Sequence, residues 1–286
     1  MPDRLDEYAE KEELTMKYVW IDEESREAFQ SVLPKEITKG TDHVCIGACD
    51  DDDCICGALC YRYAHYQYDV LWIFVAEERR RQGVGTYLMD LLFRVAMMSG
   101  EVYPVSARFE ATESPTLHAF FLSYQRMDLS CSHYRYYIEP REIRGARVPR
   151  GNAEGGLLQE EFLKLPEVSR RKILQFLQEE ENYVPEEYEI WEETLVPELS
   201  RCVMKEDSLL ALLFVQNRPD GNLELSYLYS KYPPGLAELL GTAASDMEEY
   251  YPQAKLVFDA VSDESARLAT RIFPNAKTVP VYEAER

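Results

Sequence analysis

Asp69-Val-Leu-Trp-Ile-Phe-Val75-Ala-Glu-Glu-Arg-Arg80-Arg-Gln-Gly83-Val-Gly85-Thr-Tyr-Leu-Met-Asp-Leu-Leu-Phe-Arg94 runs without a break from an apolar strand, through a short basic loop with two glycines, into an amphipathic helix. Leu88, Leu91, Leu92 and Val95 recur at helical spacing and mark the buried side of that helix. The junction has the chemistry of a phosphate site. Glycines let the backbone approach an anion, and the first turn of a helix offers unpaired N–H donors with a partial positive charge. Arg79, Arg80 and Arg81 add full charges around it. Two glycines alone also occur at ordinary tight turns, so the weight rests on the strand before and the helix after.

Two common phosphate loops do not match. A Walker loop needs G-x-x-x-x-G-K-[ST], and a dinucleotide fingerprint needs G-x-G-x-x-G, and neither pattern stands here. The residues Arg80-Arg81-Gln82-Gly83-Val84-Gly85 instead fit [Q/R]-x-x-G-x-[G/A]. This resembles the pyrophosphate loop of the GNAT acetyltransferases, which bind acetyl-coenzyme A. The approach Val75-Ala76-Glu77-Glu78-Arg79 is similar to the family's V-x-P-x-x, with Glu77 in place of proline, and Arg81 stands where glycine is common. The resemblance extends from about Thr15 to Ile138 in the order of elements and is motif-level across Asp69 to Arg94. It implies that the amides of Arg80, Arg81, Gln82, Gly83, Val84 and Gly85 hold the pyrophosphate, and that Phe74 and Val75 lie along the pantetheine arm.

The reaction it implies is attack of a substrate amine on a thioester carbonyl, with acetyl-coenzyme A as co-substrate. The amine must be neutral, so a base is useful, and the departing thiolate benefits from an acid. In the family a tyrosine on the helix after the fifth strand commonly serves as that acid. In the segment Ser114-Pro-Thr-Leu-His-Ala-Phe-Phe121-Leu-Ser-Tyr124-Gln-Arg-Met-Asp128-Leu129, two registers compete. Matching Asp128-Leu129 to the family's Gly-Phe puts Tyr124 in the acid position, whereas matching Ser114 to the helix-opening Asn puts Phe121 there. Tyr124 also suits half-buried packing. Glu110, at the end of the fifth strand, is the best carboxylate for the base, with Glu113 and His118 behind it.

Outward from this core, the first half reads as strand 15–21, helix 23–33, strands 44–49, 54–63 and 69–75, helix 83–98, strand 102–111, helix 115–127 and strand 133–138. Hairpins mixed with crossovers imply an α/β (α+β) domain: a mixed, mostly antiparallel sheet flanked by helices. Residues 141–156 are dense in Gly, Pro and Arg and read as a linker. Its arginines Arg141, Arg144, Arg147 and Arg150 could contact an anion, but in an acidic chain salt bridges are the commoner use. Beyond it come helix 166–180, strands 201–205, 209–216 and 223–229, helix 234–250, strand 255–261, helix 264–273 and strand 278–282, with Pro219-Asp220-Gly221-Asn222 as a hairpin turn.

Both halves repeat hairpin, strand, helix, strand, helix, strand, and Phe109-Glu110-Ala111 is echoed by Phe258-Asp259-Ala260. A tandem duplication follows. The expected domains are 1–140, with the acetyl-coenzyme A loop, and a degenerate copy, 157–286. In that copy Ser230-Lys-Tyr-Pro233-Pro234-Gly235 stands where the loop would be, and prolines have no N–H to give. Its expected role is to pack on the first domain and close an acceptor cleft. A tandem pair can do in one chain what single-domain homodimers do, which suits a monomer.

Composition bounds the partners. The 286 residues carry 52 acids and 31 bases, a net charge of −21, which disfavours nucleic acid and anionic membrane and suits a small-molecule or peptide amine. Residues 151–286 hold 26 acids and 13 bases, the more acidic half. No stretch approaches the roughly 18 apolar residues of a membrane span, and Met1-Pro2-Asp3-Arg4 lacks a signal-peptide build, so a cytoplasmic protein is expected. Five of seven cysteines crowd around Asp50–Asp53. Their spacing matches no standard zinc pattern, and they read as small apolar residues of a hairpin, with a metal or redox role as the alternative. The rival to an enzyme is a non-catalytic acyl-coenzyme A-binding or protein-interaction module of the same fold.

Overall fold

A computed structural model describes residues 16–34, 43–98, 103–110, 115–149, 157–180, 192–206, 208–218 and 220–286. The chain divides into two compact units, residues 1–130 with 282–286, and residues 131–281. The division differs from the expected break at 141–156. The strand β6 (Asp128–Ile138) pairs over Tyr134–Ile138 with β11 (Leu256–Ala260) of the second unit. The end of the last strand, β12 (Lys277–Glu285), belongs to the first. A boundary drawn at a composition shift misses this, because composition does not report which strand edge a β-run joins.

In the first unit the sheet runs β1 (Lys17–Ile21), β2 (Val44–Cys49), β3 (Ile55–Ala64), β4 (Gln67–Val75), β5 (Val105–Glu110), then the end of β12. β1 to β4 are antiparallel neighbours, and β4 runs parallel to β5. The crossover between them is α1 (Val84–Met98), which buries Val84, Leu88, Met89, Leu91, Leu92 and Phe93. That face meets Ile46, Leu59, Val105, Phe121 and Ala284 in one core. α2 (Pro115–Ser123) follows β5. The helix expected over 23–33 is only turns and a 3-10 segment, Ala28–Ser31. Ser25 and Asp22 exchange local hydrogen bonds that compete with a regular helix start, and Pro34 disfavours helix at the residue before it. Phe29, Val32 and Leu33 are nevertheless buried, as the apolar spacing requires.

The second unit has the order β6, β11, β10 (Leu223–Ser230), β9 (Ser208–Asn217), β8 (Arg201–Lys205), β7 (Leu157–Glu161). The crossover from β10 to β11 is the helix Pro233–Tyr250, with Leu239, Leu240, Ala243, Ala244 and Met247 inside. The helix Asp263–Ile272 follows β11 and is capped by reciprocal bonds of Ser262 and Ser265. The supposed linker is in part structured. Pro140–Arg144 is a short helix with a capping box between Glu139 and Glu142, and Ile143 and Val148 are buried in the core. Two of its arginines make the expected ion pairs, Arg141 with Glu139 and Arg144 with Glu248, while Arg150 lies outside the described residues. The strand β7 went unread in the sequence because its Gln-Glu-Glu half has little β character.

Among the cysteines, Cys49 and Cys56 are buried apolar fillers, as read. Cys45 and Cys60 are not free: directly opposite in β2 and β3, with Cα atoms 4.1 Å apart, they form a disulfide.

Candidate functional site

The first unit opens between β4 and β5, and the cause lies in the register. From Ala64↔Gln67 to Tyr61↔Val70, β3 and β4 pair in step, but the next pair is Cys60↔Trp72. Leu71 is therefore an extra residue, and such a bulge bends and twists its strand. The pairing of β4 with β5 covers Tyr68↔Val105 to Val70↔Ala107, up to that bulge. A polar clasp secures the closed end: Gln67 Nε2 and Ser106 Oγ both donate to Asp69 Oδ1, at 2.8 and 2.9 Å, and Gln67 also donates to Ser106 at 2.7 Å. Ser106 is buried, so these bonds satisfy it away from water.

Beyond the bulge lies a cavity of about 1020 Å³. Its walls are the end of β4 (Ile73, Phe74, Val75), the loop and first turn of α1 (Arg79 to Thr86, without Gln82), and one face of α2 (Thr116, Ala119, Phe120, Ser123). Along β4 the backbone alternates. Ala76 donates to Cys56, and a Cβ on Gly57 would stand 2.5 Å from the Phe74 carbonyl, so Phe74 and Ala76 face β3. Val75 faces the other way, and its carbonyl accepts from Arg80 Nε at 3.2 Å. By the same alternation Ile73 and Val75 direct N–H and C=O groups toward the opening, as a ladder for an extended ligand.

The loop has the geometry of an anion cradle. Arg81 (φ 62°) and Gly83 (φ 85°) take the left-handed conformation that turns successive amides to one side. Tyr87 makes the first bond of the helix, to the Gly83 carbonyl at 2.9 Å, so the amides of Val84, Gly85 and Thr86 have no carbonyl of a preceding turn to pair with. Gly85 packs closely under α2: a Cβ there would stand 3.2 Å from the Phe120 ring, which would have to shift slightly.

The three arginines have three fates. Arg79 donates to Asp50 Oδ2 at 2.5 Å, while Asp50 Oδ1 accepts from the amides of Cys54 and Asp52. The acidic hairpin turn thus anchors the loop. Arg80 lies over the Phe74 ring and pairs loosely with Glu77. Arg81 has no ion-pair partner among the described residues and lines the cavity. Gln82 bonds the Glu78 carbonyl and braces the loop from behind.

All the residues expected for the cofactor except Gln82 line this one cavity. The two expected catalytic residues do not. Tyr124 is buried beside it, stacked on Phe93 and Phe120, with its hydroxyl donating to Asp90 Oδ1 at 2.7 Å. Burial, then that bond and the Asp90 charge, push its phenol well above the usual tyrosine range. Phe121, the competing register, is fully buried and stacks on Phe109. Glu110 is buried at the end of β5 and is not among the lining residues, while Glu113 and Ser114 lie outside the described residues. His118 packs edge-on against Tyr282. Sequence reasoning missed Asp50, Thr86, Phe120 and Ser123. The signal for Phe120 and Ser123 was their three-residue spacing on one face of α2. Asp50 gave no signal beyond its acidic turn.

Comparison with known proteins bears on the fold. The sequence model of the acetyltransferase (GNAT) family matches residues 5–121. No match is found among curated proteins. Among solved structures, a tandem GNAT protein from the clavulanic acid biosynthesis pathway superposes with a TM-score of 0.62 at 13% identity, covering 95% of this chain and 98% of its own. A GCN5-related glucosamine N-acetyltransferase region of a fungal multi-domain GH3 β-N-acetylglucosaminidase also gives 0.62, at 14% identity and over 95% of this chain, which spans 38% of that longer protein. A GCN5-related N-acetyltransferase from Sphaerobacter thermophilus gives 0.58 at 15% identity, over 92% of this chain and 84% of its own. The chain is a tandem protein of GNAT fold whose first half carries the family's sequence pattern.

Proposed function

We propose that the first unit binds acetyl-coenzyme A and transfers its acetyl group to a primary amine of a small molecule or peptide. The observation that carries this is the joining, in one cavity, of the anion cradle of residues 80–85 and the free edge of β4 at Ile73 and Val75. The cradle fits a pyrophosphate, and the strand edge fits the amide-bearing arm that follows it. A cavity of about 1020 Å³ is at the upper end of the usual range for ligand sites, as a large co-substrate requires.

The bound co-substrate supplies a thioester, an activated acyl donor. The chain's task is to orient it and to handle protons. We assign a β4 amide at the opening to donate to the carbonyl oxygen as negative charge develops there. The amine nitrogen bonds the acyl carbon, the carbon–sulfur bond breaks, and one proton leaves the nitrogen while one reaches the sulfur. We assign Glu110 to accept the first through water. Tyr124 we place as a positioning residue, because its hydroxyl already donates to Asp90.

That placement also favours a second reading, a non-catalytic acyl-coenzyme A-binding module. Turnover separates the two. Release of free thiol from acetyl-coenzyme A is followed across a panel of primary amines, with a cytoplasmic-type panel of small amines and peptide N-termini first. Amine-dependent release that falls about a hundredfold in Glu110→Gln supports the enzyme. Tight binding with no amine-dependent release supports the module.

A further inference from the structure

The second unit retains a crevice of its own. β10 has a bulge between Leu225 and Tyr227 in its register with β9, and its pairing with β11 covers Leu223↔Leu256 and Glu224↔Val257. Beyond lies a cavity of about 440 Å³ between the end of β10, the start of the helix Pro233–Tyr250 and the helix Asp263–Ile272, with residues 147–149 as a further wall. It cannot repeat the chemistry of the first. Pro233 and Pro234 occupy the first turn and offer no amide donors, so there is no cradle for a pyrophosphate.

What it offers instead is an apolar hollow with a small number of polar groups. Val148, Leu228, Leu236, Leu268 and Ile272 form the apolar surface. Arg147 and Arg271 also line it, and neither is paired with a carboxylate among the described residues. This stands out in an acidic chain, where Arg144, Arg201 and Arg218 of the same unit all have carboxylate partners. A third polar group is Ser230, whose hydroxyl is buried in the wall with no hydrogen-bond partner. Two exposed guanidinium groups with no carboxylate partner among the described residues, at the rim of an apolar hollow, suit an anion that carries an apolar body.

We propose that this cavity is a binding site for a small amphipathic carboxylate. The apolar body lies against Leu228, Leu236, Leu268 and Ile272, and the carboxylate is held by Arg147 and Arg271. The proposal does not depend on acyl transfer by the first unit.

The test is ligand-observed NMR titration of the full chain with octanoate, octan-1-ol and inorganic phosphate as probes. Octanoate is expected to bind, and the alcohol and phosphate to bind at least about tenfold more weakly, since each lacks half of the match. Arg147→Gln with Arg271→Gln is expected to weaken octanoate about tenfold or more. Leu268→Glu, at a partly exposed position of the wall, is expected to do the same and serves if the double variant fails to fold. Absence of octanoate binding, equal binding of phosphate, or octanoate binding unchanged in these variants would overturn the proposal.

Discussion

Asp50 is 7% exposed, and its two oxygens take Arg79 on one side and two turn amides on the other. Removing its charge leaves Arg79, itself largely covered, without its partner. Asp50→Asn is therefore expected to cost about 1–3 kcal/mol of stability in a denaturant titration and to weaken acetyl-coenzyme A binding, because the loop loses its anchor. Tyr124→Phe tests the positioning role. It removes one hydrogen bond to Asp90, which keeps Arg126 at 3.3 Å, so about 1 kcal/mol of stability should go while kcat changes by no more than about threefold. A hundredfold loss of kcat at unchanged KM, with the alkaline limb of the pH profile altered, would instead make Tyr124 the acid. That the loop residues would line an opening was legible, because an apolar strand, a basic glycine-bearing loop and a helix in that order make an open strand–helix junction. Tyr124 was not, since one helix register separates a cavity-facing side chain from a buried one. Phe120 and Ser123 took the cavity face.

At the scale of elements, strands and helices with clear period were found within a few residues of their observed ends, and the bulges were not. A bulge is one extra residue in a pairing, and pairing is not written in either strand alone. Yet the bulge at Leu71 is what opens the crevice. Deleting Leu71 is expected to let β4 and β5 pair further and abolish cofactor binding. The check is calorimetry alongside a circular dichroism spectrum that still shows the native sheet. The pairing of β6 with β11 makes a second prediction. Burial by itself would raise the Asp259 carboxyl, but Arg135, donating at 2.6 and 2.7 Å, and the nearby His133 and Arg218 more than offset this and hold it below the usual carboxylate range. A depressed native pKa contributes stability that is complete above the unfolded value, about 3.9, and lost as pH falls through the lower native value. The thermal midpoint of the wild type should thus fall more steeply than that of Asp259→Asn on acidification below about pH 4. Parallel curves would show that the pair contributes nothing.

The whole molecule reads as one fold used twice with different outcomes. In the first unit a glycine-bearing loop keeps its amides available. In the second, two prolines remove them and the crevice shrinks from about 1020 to about 440 Å³. The duplication was visible in the order of elements, because each half needs the same alternation of periods to bury its sheet. The exchange of β6 and the end of β12 between the expected halves was not, since a terminal β-run has the same pattern whichever edge it joins. A net charge of −21 suits a cationic acceptor, so amine turnover should weaken as salt screens the attraction. KM for a dicationic amine is expected to rise between low and physiological ionic strength while kcat holds.

The central claim is that residues 80–85 hold the pyrophosphate of acetyl-coenzyme A. Its most direct test is titration calorimetry of acetyl-coenzyme A into the intact chain and into Gly83→Glu. That substitution meets no neighbour within 4 Å but places a strained left-handed residue and a negative charge at the cradle. Micromolar-range binding by the intact chain, lost in a variant that retains the native circular dichroism spectrum, is the predicted result. Absence of binding by the intact chain, or equal binding by the variant, would contradict the account.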